Sequence, residues 1–111
     1  MNPEKQNIEQ DDEEKLKQLR EQVHVLEGLR SVLPDKRIAE IIRQHFDFKS
    51  ARMHLVARFN LNKEQAESIL NMPFDEFQGL VADDIEKQYN DLKHRITELE
   101  IEHVLANHQK T

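Results

Sequence analysis

The sequence predicts an all-α fold, in which an antiparallel two-helix coiled-coil arm is capped by a small helical knob. Its 111 residues include only two glycines and three prolines, and they are rich in glutamate, lysine, glutamine and leucine. These straight-chain residues lose little rotamer freedom in a helix, so the composition favours helices. Two apolar stripes with helical spacing, one near each end of the chain, predict two long helices. A chain of this length forms one small domain with a modest core.

The first segment, residues 1–15, is dominated by charge. It contains six acidic residues and two lysines. A segment with much charge of one sign and few apolar side chains cannot bury enough surface to offset the entropy lost on ordering. We therefore expect a disordered acidic leader, followed by a helical domain over residues 16–106 and a tail over residues 107–111.

The first arm is expected over residues 16–33. Its apolar side chains recur at intervals of three and four residues, which places them in a stripe along one side of a helix. Pro34 ends this helix, because proline disfavours the helical conformation of the residue before it. The stripe consists of Leu16, Leu19, Val23, Leu26 and Leu33, with Leu29 beside it.

The second arm is expected over residues 83–106, where charged residues separate an apolar stripe of the same kind. The two stripes can face each other as an antiparallel coiled coil only if the segment between them folds back as a compact cap. This requirement predicts the knob. The second stripe consists of Ile85, Tyr89, Leu92, Ile96 and Leu99.

The knob is expected over residues 35–80 and begins with three short helices. Asp47 is expected to cap the second of them, and Asn62 with Gln65 forms a capping-box pattern at the start of the third. Pro73 should stop the third helix. The apolar positions of the three helices are, in order, Ile38, Ile41 and Ile42; Ala51, Leu55 and Phe59; and Ala66, Ile69 and Leu70.

A short helical turn containing Phe74 and Phe77 completes the knob before the second arm. Gly79 follows this turn. A glycine after a helical segment commonly takes a left-handed conformation and ends it. We expect Gly79 to do so here.

Two strings of the sequence carry a family resemblance. His24–Leu29 reads HVLEGL and resembles HILEGL, which begins the descending coiled-coil helix in the A subunits of DNA gyrase and topoisomerase IV. Glu64–Met72 reads EQAESILNM and is similar to EQAQAILDM in the same subunits. Shorter similarities lie at Ile41–Arg43, Ala51, Leu55, Arg58–Phe59, Leu61, Gly79–Leu80 and Glu86–Leu99. Residues 20–105 thus resemble the exit-gate dimerisation region, or C-gate, of these type IIA DNA topoisomerase subunits.

The resemblance implies that two copies join through their knobs about a two-fold axis. A knob of this size cannot bury all of its apolar side chains within one chain, so some are expected to form the dimer interface. Met72 and Phe74 flank Pro73, where the chain departs from the family string MRL, and we expect both to point outward at the knob's tip. The predicted interface consists of Met53, Val56, Gln65, Ile69, Met72, Phe74 and Phe77.

The resemblance also implies that this region does not cleave DNA. In the family, the reactive tyrosine, its helper arginine, the winged-helix domain and the DNA-wrapping β-pinwheel lie outside the C-gate. Tyr89 is the only tyrosine of the chain, and its place in the second stripe predicts packing between the arms. We therefore expect a non-enzymatic, bacterial homodimer. It would pair with a resident gyrase or topoisomerase IV A subunit and modulate it, or it would be a relic that only dimerises.

A DNA-associated accessory protein is the alternative from another functional class. Residues 36–58 contain six basic and two acidic side chains, whereas residues 64–102 contain eleven acidic and three basic ones. This asymmetry suits self-association better than simple DNA binding. A basic face can also be merely solvated, and Phe46 and Phe48 within it are expected in the core. The candidate DNA contacts are Lys36, Arg37, Arg43, Lys49, Arg52 and Arg58.

Other chemistry finds little support in the sequence. The absence of cysteine excludes disulfides and thiolate sites. The histidines lack the spacing that puts two imidazoles on one helical face, and the lone Gly28 and Gly79 form no phosphate-binding loop. We expect no metal, cofactor or small-molecule substrate. No apolar run approaches the length of a membrane helix and the acidic N-terminus is unlike a signal peptide, so we expect a soluble cytoplasmic protein.

Overall fold

The fold is that of a computed structural model, which describes the backbone of residues 3–108 and the side chains of residues 11–106. Two long helices, α1 (Pro3–Val32) and α6 (Ala82–His108), flank a set of short ones. The all-α prediction is confirmed, since the described residues form helices and no strand. Between the long helices lie a 3-10 turn (Leu33–Asp35), α2 (Lys36–His45), α3 (Phe48–Phe59), α4 (Lys63–Asn71) and α5 (Phe74–Gln78).

The two long helices pack against each other in antiparallel orientation. Arg20 bonds Glu100 at 3.4 Å near one end of the pair, and Arg30 bonds Glu86 at 2.8 Å near the other. The two predicted stripes therefore face each other, while the supercoil of a coiled coil stays a prediction. A cluster of apolar side chains fills the seam: Leu16, Val23, Ile96 and Leu99, with Leu19, Tyr89 and Leu92 packed against it.

The first helix is longer than the sequence analysis expects. It begins at Pro3, and the disorder expected for residues 1–15 stays a prediction. Two local effects favour this extension. Proline is well tolerated at the first helical position, and acidic side chains near a helix N-terminus interact favourably with its positive dipole end. Residues 1–2, and residues 109–111 of the predicted tail, lie outside the described residues.

Both predicted helix caps of the knob are present. The Asp47 carboxylate accepts a hydrogen bond from the Ser50 amide at 2.8 Å and starts α3. Asn62 Oδ1 accepts from the Gln65 amide at 2.8 Å, and Gln65 Oε1 accepts from the Asn62 amide at 3.0 Å. These side chains satisfy amide groups that a helix start leaves without partners. They fix where α3 and α4 begin.

The knob has its own core, which continues into the adjoining end of the arm. Helix α4 lies between α1 and α3 and contacts both, so much of its surface is covered. Burying these apolar side chains is the main favourable contribution to the knob's stability. The most deeply buried core residues are Leu29, Val32, Ala39, Ala51, Leu55, Ala66, Ile69, Phe77 and Ile85.

The prediction of a left-handed Gly79 is wrong. Gly79 has φ −77° and continues the right-handed turn of α5, with its amide donating to the Asp75 carbonyl at 3.1 Å. The left-handed residue of the knob is Asn60, with φ 55°, at the end of α3. Asparagine tolerates this conformation better than most residues other than glycine. Asn60 therefore ends α3 in the left-handed conformation, whereas α5 ends at Gly79 without one.

The two glycines should respond in opposite ways to alanine. A Cβ on Gly79 would lie 3.5 Å from the nearest atom, whereas one on Gly28 would lie 3.1 Å from Gln65 Cβ. Gly79→Ala should stabilise the protein by about 0.4–1 kcal/mol, because it restricts the unfolded chain without strain. Gly28→Ala should lower Tm, because displacing Gln65 outweighs the gain in helix propensity. Thermal unfolding followed by circular dichroism checks both, and a higher Tm for Gly28→Ala would contradict the close packing.

Candidate dimerisation surface

Four large apolar side chains of the knob are exposed to solvent. All four belong to α2, α3 or the link between these helices, and we call them the exposed α2–α3 residues. Exposed apolar side chains mark an interaction site where they form a contiguous patch. Their exposed fractions are 42% for Ile41, 40% for Phe46, 47% for Phe48 and 62% for Met53.

Local structure explains why these side chains stay outside. Asp47 caps α3 between the two phenylalanines, and both rings lie where the chain turns from α2 into α3. Phe46 stacks on the His54 ring with the ring centroids 4.1 Å apart. On α3, Ala51 and Leu55 face the core, and this helical phase directs Met53 away from it. The expectation that Phe46 and Phe48 belong to the core is wrong.

Three residues of the predicted interface are instead inside the single chain. Ile69 and Phe77 are completely buried, and Gln65 is buried as well. Gln65 uses its side-chain amide to donate to the His24 carbonyl at 2.9 Å. The correction follows from α4 lying between α1 and α3, because that position covers the helix face on which Gln65 and Ile69 lie.

The remaining predicted interface residues differ in how far they are exposed. Met53 is highly exposed, while Val56, Met72 and Phe74 are half-buried. Val56 and Met72 pack against the knob core, and the Arg43 guanidinium lies 6.0 Å from the Phe74 ring centroid. Met72 and Phe74 are therefore not the fully outward pair that the sequence analysis expects beside Pro73.

Four of the six candidate DNA contacts are engaged within the chain. The Lys36 ammonium donates to the Gln78 and Leu80 carbonyls. Two of the arginines form ion pairs, Arg52 with Glu67 at 2.9 Å and Arg58 with Asp35 at 3.2 Å.

Arg43 is the fourth of these engaged residues, and it lies partly inside the knob. Its guanidinium donates to the Met72 carbonyl and lies 4.9 Å from the Phe77 ring centroid. Burial lowers the pKa of Arg43. Arg37 and Lys49 are exposed, so the basic surface open to phosphates is smaller than the sequence suggests.

Tyr89 contributes to packing at the end of the arm nearest the knob. Its half-buried ring packs against both apolar clusters, and the Arg30 guanidinium lies 4.0 Å from the ring centroid. Arg30 also forms two hydrogen bonds with the Glu86 carboxylate, at 2.8 and 3.1 Å. Hydrogen bonding to Glu86 raises the pKa of Arg30. The ion pair and the ring together tie α6 to α1 beside the knob.

A second set of exposed apolar side chains lies at the far end of α6. Ile101, Val104 and Leu105 are all exposed there, well away from the knob. Within the part of the chain whose helices are described, none is long and apolar enough to cross a membrane. The same described residues contain no group of three or more histidine, aspartate or glutamate side chains placed to hold a metal ion.

Comparison with known proteins finds similarity to the A subunits of DNA gyrase and topoisomerase IV. Residues 1–111 match a family model for the A subunit of DNA gyrase/topoisomerase IV. The chain is 38% identical over 96 residues to the DNA gyrase A subunit of Halalkalibacterium halodurans, covering 86% of this chain and 11% of that protein. It is 42% identical over 86 residues to the DNA gyrase A subunit of Staphylococcus epidermidis, covering 77% of this chain and 10% of that protein. The chain thus spans about a tenth of the length of these relatives.

Proposed function

The chain belongs to the A-subunit family of DNA gyrase and topoisomerase IV, and from that membership we propose that it is a non-catalytic dimerisation module equivalent to the exit gate of those proteins. Two copies join through their knobs about a two-fold axis. In such an interface the same surface of each copy meets the other, so one set of apolar side chains serves both sides.

The exposed α2–α3 residues carry this proposal. All four side chains, Ile41, Phe46, Phe48 and Met53, are at least 40% exposed in the single chain. Burying such side chains against a partner is favourable at about 25 cal/mol per Å² of apolar area. Aromatic residues and methionine are also enriched at the centres of protein interfaces. A second copy supplies a matching apolar surface.

The arm supports the proposal by holding the knob at one end of a long helix pair. The molecule measures 57 × 27 × 23 Å, and the buried seam and two interhelical ion pairs tie α1 to α6. A rigid arm fixes where its knob can meet another. A gate requires this arrangement, because the knobs must separate and rejoin in a defined position.

The partner of this knob in the cell is, in this proposal, either a second copy or the A subunit of a cytoplasmic gyrase or topoisomerase IV. A heterodimer with an A subunit would hold one set of cleavage residues where the homodimer of A subunits holds two. Such a pairing would modulate the enzyme. Mixing an affinity-tagged chain with purified gyrase A subunit tests it, with the Phe48→Ser/Met53→Ser double variant as the control that should fail to retain the gyrase protein.

The module is expected to neither cleave nor relax supercoiled DNA. Its only tyrosine has a packing role in the arm beside Arg30, and nucleophilic catalysis needs an activating partner and an open site for the substrate. The measurement is gel electrophoresis of supercoiled plasmid after incubation with the protein, Mg²⁺ and ATP. Relaxation by the protein that disappears in Tyr89→Phe would overturn the non-catalytic assignment.

A further inference from the structure

The junction between arm and knob is held by a chain of side-chain hydrogen bonds that begins at His24. Both members of the α4 capping box, Asn62 and Gln65, reach across to this one residue of α1. The Asn62 amide nitrogen contacts Nε2 of the His24 ring, and the Gln65 amide nitrogen donates to the His24 carbonyl at 2.9 Å. Gly28, one turn further along α1, leaves the space into which Gln65 packs.

The capping box determines which atoms face the histidine. Asn62 Oδ1 is occupied as the acceptor of the Gln65 backbone amide at 2.8 Å, so the atom that faces His24 is Nδ2. An amide NH₂ group donates hydrogen bonds and accepts none. His24 Nε2 must therefore be the acceptor, which requires a neutral ring with its proton on Nδ1.

From this geometry we infer that His24 is an acid-sensitive latch between the arm and the knob. Protonation of the ring places an N–H group opposite the Asn62 NH₂ group, and two donors cannot bond each other. Acid therefore releases the contact between α1 and the start of α4. The Gln65 bond to the His24 carbonyl involves no titrating atom, so the knob loosens at this corner rather than detaching.

Charged groups of both signs surround the ring. Glu27 Oε2 lies 3.9 Å from His24 Nδ1, and the cleft beside His24 is lined on α1 by Arg20 and on α6 by Lys93 and Glu100. On α4, Lys63 follows Asn62, and its Nζ lies 4.0 Å from Glu67 Oε1. The next residue, Glu64, is exposed. The carboxylates favour a charged ring and the basic groups oppose it, whereas the Asn62 amide nitrogen bonds only the neutral ring.

The Asn62→Asp variant tests the latch. Aspartate has the same shape and caps helices equally well, but its carboxylate prefers a protonated histidine. Between about pH 8 and about pH 5.5, the parent should lose stability and the variant should gain relative to it. The difference between their Tm values should change by about 4 °C or more over this interval. Parallel pH profiles would overturn the proposal.

Two further measurements isolate His24 from the other histidines. In a His24→Gln background, Asn62→Asp should shift Tm by the same amount at every pH, and a surviving pH-dependent difference would overturn the assignment. Nitrogen NMR shifts of the parent at pH 8 report the tautomer directly, without any variant. They should show an unprotonated Nε2, and a proton on Nε2 would contradict the latch.

Discussion

Replacing Ile96 with aspartate is expected to unfold the arm. Ile96 is buried in the seam between α1 and α6, together with Leu16, Val23 and Leu99. The substitution removes apolar contacts and places a carboxylate in the apolar seam between the two helices. An uncompensated buried charge of this kind costs about 3–5 kcal/mol, against a total stability of about 5–15 kcal/mol for a natural domain. The folded population should fall sharply.

Circular dichroism during heating measures this effect. At about 4–8 °C per kcal/mol for a domain near this size, Ile96→Asp should lower Tm by at least about 12 °C or abolish the transition. Thr97→Asp is the matched control, because Thr97 is the next residue of the same helix and is exposed. It should change Tm by only a few degrees. An Ile96→Asp variant that melts with the control would mean that the two stripes do not face each other.

The arm and the helix order could be predicted because their signals are local. Alternating intervals of three and four residues define one face of a helix whatever surrounds it. Caps such as Asp47 and Asn62 satisfy backbone amides within three residues of themselves. Because Pro34 and Pro73 also act on adjacent residues, the C-terminal ends of α1 and α4 could be placed from the sequence.

The exposure of individual knob residues could not be predicted because it depends on packing between distant segments. Ile69 and Gln65 become buried only when α4 inserts between α1 and α3. The sequence suggests that Arg43 is a surface cation. In the structure its guanidinium instead contacts the Met72 carbonyl and the Phe77 ring. In α2, the adjacent Ile41 and Ile42 diverge by about 100° around the helix. Only the knob's assembled shape shows that Ile42 is the inner one.

Replacing two of the exposed α2–α3 residues, Phe48 and Met53, should weaken association without preventing folding. In the Phe48→Ser/Met53→Ser double variant, both substituted side chains are exposed in the single chain. The monomer should therefore fold normally, with a circular dichroism spectrum nearly unchanged. The dimer should weaken greatly, since an apolar anchor at an interface centre contributes about 2 kcal/mol or more. Because both copies of a two-fold dimer carry the two substitutions, the affinity should fall by at least about 10³-fold.

A control at the opposite end of the molecule removes similar surface. Ile101→Ser with Val104→Ser changes two exposed apolar residues near the end of α6, and this variant should associate as strongly as the parent. Sedimentation equilibrium of the parent and both variants compares the three dissociation constants. If the α6 variant were the monomer and the knob variant the dimer, association would lie at the base of the arm.

Multi-angle light scattering of the unmodified chain at micromolar concentration tests the central claim most directly. The chain has a mass of 13.2 kDa. Association through the knobs about one two-fold axis closes after two copies, so we expect a single species of about 26 kDa. A homogeneous species at the mass of one chain would contradict it.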